Sequence, residues 1–353
     1  MFGNLKIIEL STILAGPAVG MFFAELGAEV IKVENKNNGG DPTRNWKLPI
    51  EDSNAKTSAY FHSVNWGKKY IQLDYHQPKD RENLLKLISI ADILITNFKN
   101  GDDIKFGLDY KAIKKINAEI IYASISGFES DKNRAAFDIV LQAETGFMSM
   151  NGSVESGPVR MPVALIDILA AHQLKEAILI ALLKREKTKE GSCINVSLEK
   201  AALASLANQA SNYLNANSVA KLQGSLHPNI APYGEVFNTA DGRQIVLAVG
   251  TEKQFTTLCA ILGLDELCNQ LKFKNNTSRV ENRKELFEIL KQKIERLKAT
   301  DFIEKCTQQK VPAGIIKNIG EVLETDLAKE MILEENDSKR LSTIAFNQDF
   351  MDD

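Results

Sequence analysis

The first third of the chain alternates short β-rich runs with amphipathic helical stretches, and this alternation limits the fold more than any other feature. Runs at residues 5–10 and 29–34 flank a helical stretch at 17–26, which is the pattern of a βαβ unit. The same pattern recurs with runs at 70–74, 92–98 and 120–128 and helical stretches at 78–90 and 110–116. Because parallel strands are joined by right-handed crossovers, the sequence predicts an α/β fold built on a mostly parallel sheet.

Helical spacing continues beyond this region. Residues 167–185 and 198–214 predict long helices that cover the sheet or meet another subunit. The segment HPNIAPYG, residues 227–234, carries two prolines and a glycine and is the predicted linker. After it, GEVFNTADGRQIVLAVG predicts a hairpin in which Asp241-Gly242 supplies the tight turn.

The last hundred residues are less regular. Helical patterns run over residues 252–304, and VPAG at 311–314 marks a break. The charged, patchy end at 331–353 predicts little regular structure. Because 353 residues exceed the roughly 100 to 200 of one domain, we expect a large domain with a smaller companion.

Composition narrows the class of protein. The net charge of -3, from 43 basic and 46 acidic residues, gives no reason to expect a nucleic-acid partner. No run of about 18 apolar residues occurs, and Glu9 interrupts the only early apolar run, so neither membrane spanning nor export is predicted. The four cysteines form no CxxC pair and no zinc-like spacing, so we expect a cytoplasmic protein without a disulfide framework or metal site.

The commonest catalytic motifs are missing from the sequence. It contains no GxGxxG after the first strand, no GxxxxGK[ST], no GxSxG and no HExxH, which disfavours the usual dinucleotide, nucleotide, hydrolase and zinc-protease functions. The four histidines, His62, His76, His172 and His227, are scattered and are interpreted as polar surface or structural residues.

Asp167 is the acid that the pattern singles out. Ala170, Ala171, Leu174 and Ile178 follow it at helical spacing on its own face, so we expect its side chain to point inward. A carboxylate on a buried face costs free energy unless it is paired or functional, and carboxylates act as nucleophiles toward activated acyl groups. Asp is also a favoured helix N-cap. Spacing alone therefore leaves a nucleophile and an N-cap as open alternatives.

Two further features are compatible with an anionic ligand. The stretch LSTILAGPA, residues 10–18, joins the first strand to a helix, with small residues that allow close backbone approach and Pro17 suited to the first helical position. Basic side chains lie at or beyond the strand ends, where open α/β folds bind ligands. They are Lys68, Lys69, Lys99 and Lys105. An ordinary βα turn and solvated surface lysines remain the alternatives.

An ordered set of motifs resembles the family III CoA-transferases over nearly the whole chain. It begins with AGPAVGMFFAELGAEVIKVE at residues 15–34 and GGDPTR at 39–44. NWGKKYIQLD, ADILITNFKNG, FGLDY and IIYASISGF follow at similar spacing, and FDIVLQAETGFM, VFNTADG and VPAG complete the series. Each motif is modestly specific, but their order makes the resemblance strong.

The resemblance implies an enzyme that moves coenzyme A from an acyl-CoA to a free carboxylic acid. Asp167, within PVALIDILAAHQLKEAILIALLKR, matches the family nucleophile, which forms a mixed anhydride and then an aspartyl-CoA thioester. Backbone amides near Gly146 and at Gly250 are candidate oxyanion donors. The residues matched to CoA contacts are Leu14, Ala15, Lys36, Lys68, Asn97, Phe98 and Lys105. CoA enters as a substrate, and no tightly bound cofactor is implied.

The family also implies an architecture. Residues 1–215, rejoined by 326–353, would form a large Rossmann-like domain, and 216–325 a smaller α+β domain with its linkers. Two such chains would interlock in a homodimer. Neither periodicity nor composition predicts that interlocking.

Several positions depart from the family pattern. Asn35 stands where a basic residue often follows KVE, Asn100 replaces the proline of NFRPG, and Ala135 replaces an occasional lysine, with Arg134 next to it. Lys105 stands where arginine is frequent and keeps the charge without the bidentate fork. These departures and an early chain end keep a non-catalytic acyl-CoA-binding homologue as an alternative.

A second alternative is an α-methylacyl-CoA racemase, which shares the fold. Racemases of this type use proton transfer beside the thioester and carry a histidine directly before the aspartate of the FD pair. That position is Phe137 here, which favours the transferase.

Overall fold

The computed structural model describes residues 2–131, 133–335 and 338–346. These residues divide into two compact units. The first unit takes its described residues from 2–147, 160–219 and 327–346, and the second consists of 148–159 and 220–326.

A six-stranded parallel sheet forms the centre of the first unit. Its strands are β1 (Lys6–Glu9), β2 (Glu29–Asn35), β3 (Lys68–Leu73), β4 (Ile93–Thr96), β5 (Ile121–Ser126) and β8 (Ser192–Ser197). Their order is β3-β2-β1-β4-β5-β8, and every neighbouring pair is parallel. The predicted α/β fold with a parallel sheet is therefore confirmed, and β8 is a strand that was not predicted.

Helices connect and cover the strands, and most are short. The described helices are α1 (Ala15–Glu25), α2 (Ala59–His62), α3 (Pro78–Ser89), α4 (Asp102–Phe106), α5 (Tyr110–Lys114), α6 (Asp138–Glu144), α7 (Phe147–Met150), α8 (Leu165–Thr188), α9 (Leu198–Ala204), α10 (Ala207–Ala216), α11 (Glu252–Leu262), α12 (Asn276–Glu281), α13 (Arg283–Ile294), α14 (Ala299–Gln308), α15 (Ile319–Leu323) and α16 (Asp326–Glu330). None of the helices in this part of the chain combines the length and the hydrophobicity needed to cross a membrane.

Alternation along the strands gives the sheet two buried faces. Ile7 of β1 packs with residues of α1, α8 and α9, including Val19 and Leu174. Ile8, the next residue, packs on the opposite face with Leu84 and Ile88 of α3. Because successive side chains of a strand point to opposite faces, a sheet covered on both sides needs such continuous apolar runs.

The second unit is a small α+β body. A three-stranded antiparallel sheet, ordered β11-β10-β9, contains β9 (Tyr233–Asn238), β10 (Gln244–Ala248) and β11 (Ala313–Ile315). The predicted hairpin is confirmed, with Gly242 at φ 73°. Helices α11, α13 and α14 cover the sheet around a separate apolar core. A two-residue ladder, β6 (Gly152–Ser153) with β7 (Gly157–Pro158), also belongs to this unit.

The predicted linker is a fixed part of the second unit. Arg279, which is 1% exposed, donates to the carbonyl of Ala231 at 2.9 Å and forms an ion pair with Glu252 at 2.6 Å. Arg283 donates to the carbonyl of His227 at 2.7 Å. These bonds satisfy backbone carbonyls that would be hydrated in a flexible linker. The proline- and glycine-containing segment is therefore held in place by arginine side chains.

The charged terminal segment contains more structure than its sequence predicts. Strands β12 (Ile332–Glu335) and β13 (Ser338–Leu341) form an antiparallel hairpin in the first unit. Arg340 forms an ion pair with Glu25 of α1, and both side chains are buried. Glu25 also accepts from the hydroxyl of Ser342 at 2.7 Å. The expectation of little regular structure is wrong for these strands, and residues 347–353 lie outside the described residues.

Candidate active site

Asp167 lies in the first turn of α8, where the chain passes from an irregular segment into a 24-residue helix. Its side chain points inward and the residue is 8% exposed, so the predicted inward orientation is confirmed. The N-cap position belongs to Ala164, three residues earlier. The N-cap alternative for Asp167 is therefore wrong.

The carboxylate of Asp167 lacks compensation from its surroundings. Among the described residues, none donates a hydrogen bond to it. Burial, followed by the negative charge of Asp138, raises its pKa from 3.8 to about 7. A carboxylate that is both buried and repelled by a like charge is a candidate for chemistry, because structural carboxylates are normally paired or hydrogen-bonded.

Asp138 begins α6 and ties that helix to the start of α8. One of its oxygens, Oδ1, accepts from the backbone N–H of Ile166 at 2.7 Å, and Oδ2 accepts from Nε2 of Gln142 at 2.6 Å. Gln142 in turn accepts from the backbone N–H of Met161 at 2.8 Å through Oε1. Asp138 was not among the site residues predicted from the sequence, although an acid directly before an apolar helical run is the signal by which it could have been found.

Tyr60 and Trp46 form an aromatic pair close to these carboxylates. Burial and the charges of Asp167, Asp138 and Asp41 raise the pKa of Tyr60 to about 12, so its phenol stays protonated at neutral pH. The rings of Trp46 and Tyr60 meet edge to face with centroids 5.1 Å apart. The pair supplies an apolar surface and one hydroxyl donor near the nucleophile candidate.

The turn between β1 and α1 has an unusual backbone. Ile13 has φ 75°, a region in which a β-branched residue is an outlier that costs on the order of 1–3 kcal/mol. Asp41 accepts from the backbone N–H of Ile13 at 3.3 Å. The side chain of Asn97 binds Thr12 twice, accepting from its N–H at 3.0 Å and donating to its carbonyl at 2.8 Å. Side chains from other parts of the unit therefore hold this turn.

Two carboxylates and two lysines form a buried ionic cluster, which consists of Glu9, Lys32, Asp41 and Lys68. Nζ of Lys32 lies 2.9 Å from Glu9 and 3.0 Å from Asp41, and Nζ of Lys68 lies 2.7 Å from Glu9. Burial alone would lower the pKa of Lys32, but Glu9 and Asp41 raise it. Burial lowers the pKa of Lys68 to about 7, although Glu9 opposes that shift.

The buried ionic cluster also binds the turn backbone directly. Lys32 donates to the carbonyl of Ser11 at 2.7 Å, and Lys68 donates to the carbonyl of Pro17 at 2.8 Å. Gly20 makes room for the cluster inside α1, because a Cβ built there would lie 1.9 Å from Oε2 of Glu9. The chain from Ser11 to Pro17 is thus fixed at both ends.

Most of the residues matched to CoA contacts lie at the carboxyl edge of the sheet. Leu14 and Ala15 follow β1, Lys36 follows β2 and is exposed, and Asn97 and Phe98 follow β4. Lys105 is exposed on α4, with Nζ 5.8 Å from the ring centroid of Phe106. Because these strands are adjacent and parallel, their ends form the crevice in which open α/β folds bind ligands.

Lys68 differs from the other matched residues. It begins β3, its side chain is fully buried, and its ammonium also donates to Asn65 at 3.0 Å. The ammonium is therefore already satisfied by protein groups. The bond from Lys68 to the carbonyl of Pro17 holds the first turn of α1, two residues after the matched Ala15, and contact of Lys68 with CoA stays a prediction.

The two proposed oxyanion donors occupy different units. Gly146 belongs to the first unit, with φ 90°, and follows Thr145, the C-cap of α6. Gly250 belongs to the second, and its N–H donates to Oε1 of Gln254 at 2.9 Å within the capping box of α11. The amide of Gly250 thus already has an acceptor in this structure.

Comparison with known proteins identifies the same family along nearly the full length. The sequence model of CoA-transferase family III matches residues 3–348. The succinate–glutarate CoA-transferase of Agrobacterium fabrum is 37% identical over 325 residues, which are 90% of this chain and 80% of that protein. The human succinyl-CoA:glutarate CoA-transferase is 37% identical over 90% of this chain and 72% of its own.

A solved structure has the same fold. The crystal structure of a CaiB/BaiF family protein from Brucella suis superimposes with a TM-score of 0.88 and 37% sequence identity. The match covers 97% of this chain and 92% of the Brucella protein.

Proposed function

The chain belongs to CoA-transferase family III and is an enzyme that transfers CoA between an acyl-CoA and an acid, and on that premise we propose that Asp167 is its nucleophile. The observation that carries this proposal is the state of the Asp167 carboxylate. It is buried, receives no hydrogen bond from the described residues and has a pKa of about 7. At neutral pH a useful fraction is ionised, while poor solvation keeps that fraction reactive.

The proposed reaction has four steps. An oxygen of Asp167 attacks the thioester carbon of the donor, and the C–S bond breaks to release the CoA thiolate and a mixed anhydride. The thiolate then attacks the aspartyl carbonyl, which releases the donor acid and leaves an aspartyl-CoA thioester. The acceptor carboxylate attacks that thioester, and its C–S bond breaks to release the CoA thiolate again and leave a second anhydride. Attack of the thiolate on the acceptor carbonyl completes the transfer and regenerates Asp167.

We propose short dicarboxylic acids as the substrates. The relatives from Agrobacterium fabrum and human are named for succinate and glutarate, and both are 37% identical to this chain. The CoA moiety would lie along the carboxyl edge of the sheet. Its predicted contacts are Leu14, Ala15, Lys36, Lys68, Asn97, Phe98 and Lys105. A homodimer, as the family resemblance implies, is part of the same proposal.

The direct test is Asp167→Asn. The amide is neutral and nearly isosteric, so the variant should fold, because a buried position tolerates it better than a charge. CoA exchange between succinyl-CoA and glutarate should fall by on the order of a thousandfold or more. Asp109→Asn is the matched control, since Asp109 is the N-cap of α5 and the same change there should leave exchange intact. Retained exchange in Asp167→Asn would remove Asp167 as nucleophile.

Mass spectrometry offers an independent measurement. Incubation of the wild-type protein with succinyl-CoA should place a CoA adduct on the peptide that contains Asp167, and Asp167→Asn should show none. An adduct on another residue would contradict the proposal.

The racemase alternative makes an opposite prediction. Phe137 stands where such enzymes carry a histidine, and its side chain is 52% exposed at the start of α6. Deuterium incorporation at the α-carbon of a 2-methylacyl-CoA, without CoA exchange, would favour the racemase. Binding of acyl-CoA with neither reaction would favour the non-catalytic homologue.

A further inference from the structure

The strained residue Ile13 and the buried carboxylate of Asp41 are directly bonded. Both carboxylate oxygens lie within reach of the Ile13 N–H, at 3.4 Å for Oδ1 and 3.3 Å for Oδ2. Asp41 is fully buried. The next residues, Leu14 and Ala15, begin α1 and are matched to CoA contacts. A carboxylate 28 residues away thus holds the one turn residue whose backbone conformation is unfavourable.

Asp41 is itself fixed by three other residues, Lys32, Thr43 and Glu34. Lys32 forms an ion pair with it at 3.0 Å, and Thr43 donates to Oδ1 from its N–H at 3.0 Å and from its hydroxyl at 2.7 Å. Its backbone N–H donates to Glu34 at 3.1 Å. The position of the carboxylate is therefore set by these partners. The Ile13 backbone keeps its hydrogen bond to Asp41 only while the turn stays in its present conformation.

Resting on the proposed function, we propose that Asp41 is a positioning residue for CoA binding. It holds Ile13 at positive φ, and this sets the direction in which the backbone of Leu14 and Ala15 meets the ligand. Strained backbone persists only where the surroundings enforce it, and it concentrates at ligand-binding sites. Without Asp41, Ile13 would relax to negative φ, and the N-terminus of α1 would turn away from its ligand-binding direction.

A role limited to the stability of the fold is the rival explanation. Asp41 is also the N-cap of a short 3-10 helix, Pro42–Asn45, and a member of the buried ionic cluster. The two roles differ in what glycine at position 13 would do. Glycine adopts positive φ without strain, so it removes the need for a positioning group but repairs no ion pair.

The experiment measures the dissociation constant of CoA by calorimetry on the full chain, with thermal unfolding as a check of folding. Asp41→Asn should weaken CoA binding at least tenfold. Ile13→Gly should bind within about twofold of wild type, because its turn is unstrained. The double variant Asp41→Asn with Ile13→Gly should recover binding to within about threefold. A double variant that binds no better than Asp41→Asn would overturn the proposal.

A second comparison leaves the buried ionic cluster intact. Ile13→Pro fixes φ near -65° and removes the N–H that donates to Asp41, so CoA binding should weaken at least tenfold. If Ile13→Pro and Ile13→Gly bind CoA equally well, the proposal is wrong even where Asp41→Asn does not fold. In steady-state assays Asp41→Asn and Ile13→Pro should raise KM for the acyl-CoA more than they lower kcat, and Ile13→Gly should change neither constant by more than about twofold.

Failure of the proposed function has a different signature. Asp167→Asn should bind CoA like wild type, because binding does not require the nucleophile. Absence of CoA binding by the wild-type chain would overturn the proposed function and this inference together. If the wild type binds CoA normally and Ile13→Pro binds CoA with the same affinity, only the inference about Asp41 is overturned.

Discussion

The carboxylate of Asp138 accepts a hydrogen bond from the backbone N–H of Ile166 at 2.7 Å, directly before Asp167 in the first turn of α8. The same carboxylate contributes to the raised pKa of Asp167 through its charge. One side chain therefore fixes the helix end that carries the proposed nucleophile and keeps part of that nucleophile protonated.

Replacement of Asp138 separates these two effects. Asp138→Asn keeps an oxygen that can accept from Ile166 but removes the charge, so the pKa of Asp167 should fall. Because the ionised form is the nucleophile, the acidic limb of the kcat/KM profile for CoA exchange should move to lower pH. The pKa of Asp167 should still stay above the ordinary range for an aspartate, because burial raises it more than the charge of Asp138 does. Glu144→Gln, the same charge change on α6, should leave the limb in place.

Stability should also report the state of Asp167. Its pKa is about 7 in the folded protein and close to 3.8 when unfolded, so the folded state binds the proton more tightly. Its contribution to stability is present below pH 3.8 and is lost as pH rises through about 7. Relative to Asp167→Asn, wild type should lose up to about 4 kcal/mol of unfolding free energy between pH 4 and pH 8. Denaturant titrations of both proteins at these pH values would measure it, and a constant difference would contradict the shift.

Gly20 should be intolerant of a side chain. The added methyl of Gly20→Ala would lie 1.9 Å from Oε2 of Glu9, which is held by Lys68 and fully buried. Overpacking of this kind costs about 1–3 kcal/mol, which exceeds the roughly 1 kcal/mol that alanine gains in a helix. Chemical denaturation should show a net loss of stability. Gly3→Ala, where the methyl meets nothing within 4 Å, should change little.

The terminal hairpin should depend on its anchor in α1. Glu25→Gln leaves Arg340 charged and buried without its partner, which typically costs 3–5 kcal/mol. Arg340→Met should cost less, because Glu25 still accepts from Ser342 and from the N–H of Thr343. Equal losses in the two variants would argue against this order. Glu29→Gln, which breaks an exposed pair with Lys69, should cost at most about 1 kcal/mol.

The sheet was predictable because its central strands, such as β1, β4 and β5, are buried on both faces. Runs such as residues 5–10 and 120–128 read as continuous β-rich segments, and the structure places β1 and β5 inside them. The strand β8 was missed because SCINVS alternates with polar residues. Cys193 and Asn195 are exposed on this edge strand, so its pattern resembles a loop.

The site was only partly predictable. The inward orientation of Asp167 followed from helical spacing, which is local information. The partners of Lys68 did not, because Glu9 lies 59 positions away and a lysine in a strand usually marks a solvated position. The anchor of the terminal hairpin spans 315 positions, between Glu25 and Arg340, and no local pattern predicts such a pair. Ile13 at positive φ contradicts its own local preference.

The buried ionic cluster has a consequence for how this sequence can change. Glu9, Lys32 and Lys68 come from three adjacent strands, and their charges balance only as a set with Asp41. Loss of any one member leaves another charge buried and unpaired, which is destabilising. Joint replacement by apolar residues of similar volume can leave the stability unchanged. Substitutions at these four positions should therefore be tolerated in combination and rejected singly, so laboratory evolution by single steps would meet a barrier here that a simultaneous redesign would not.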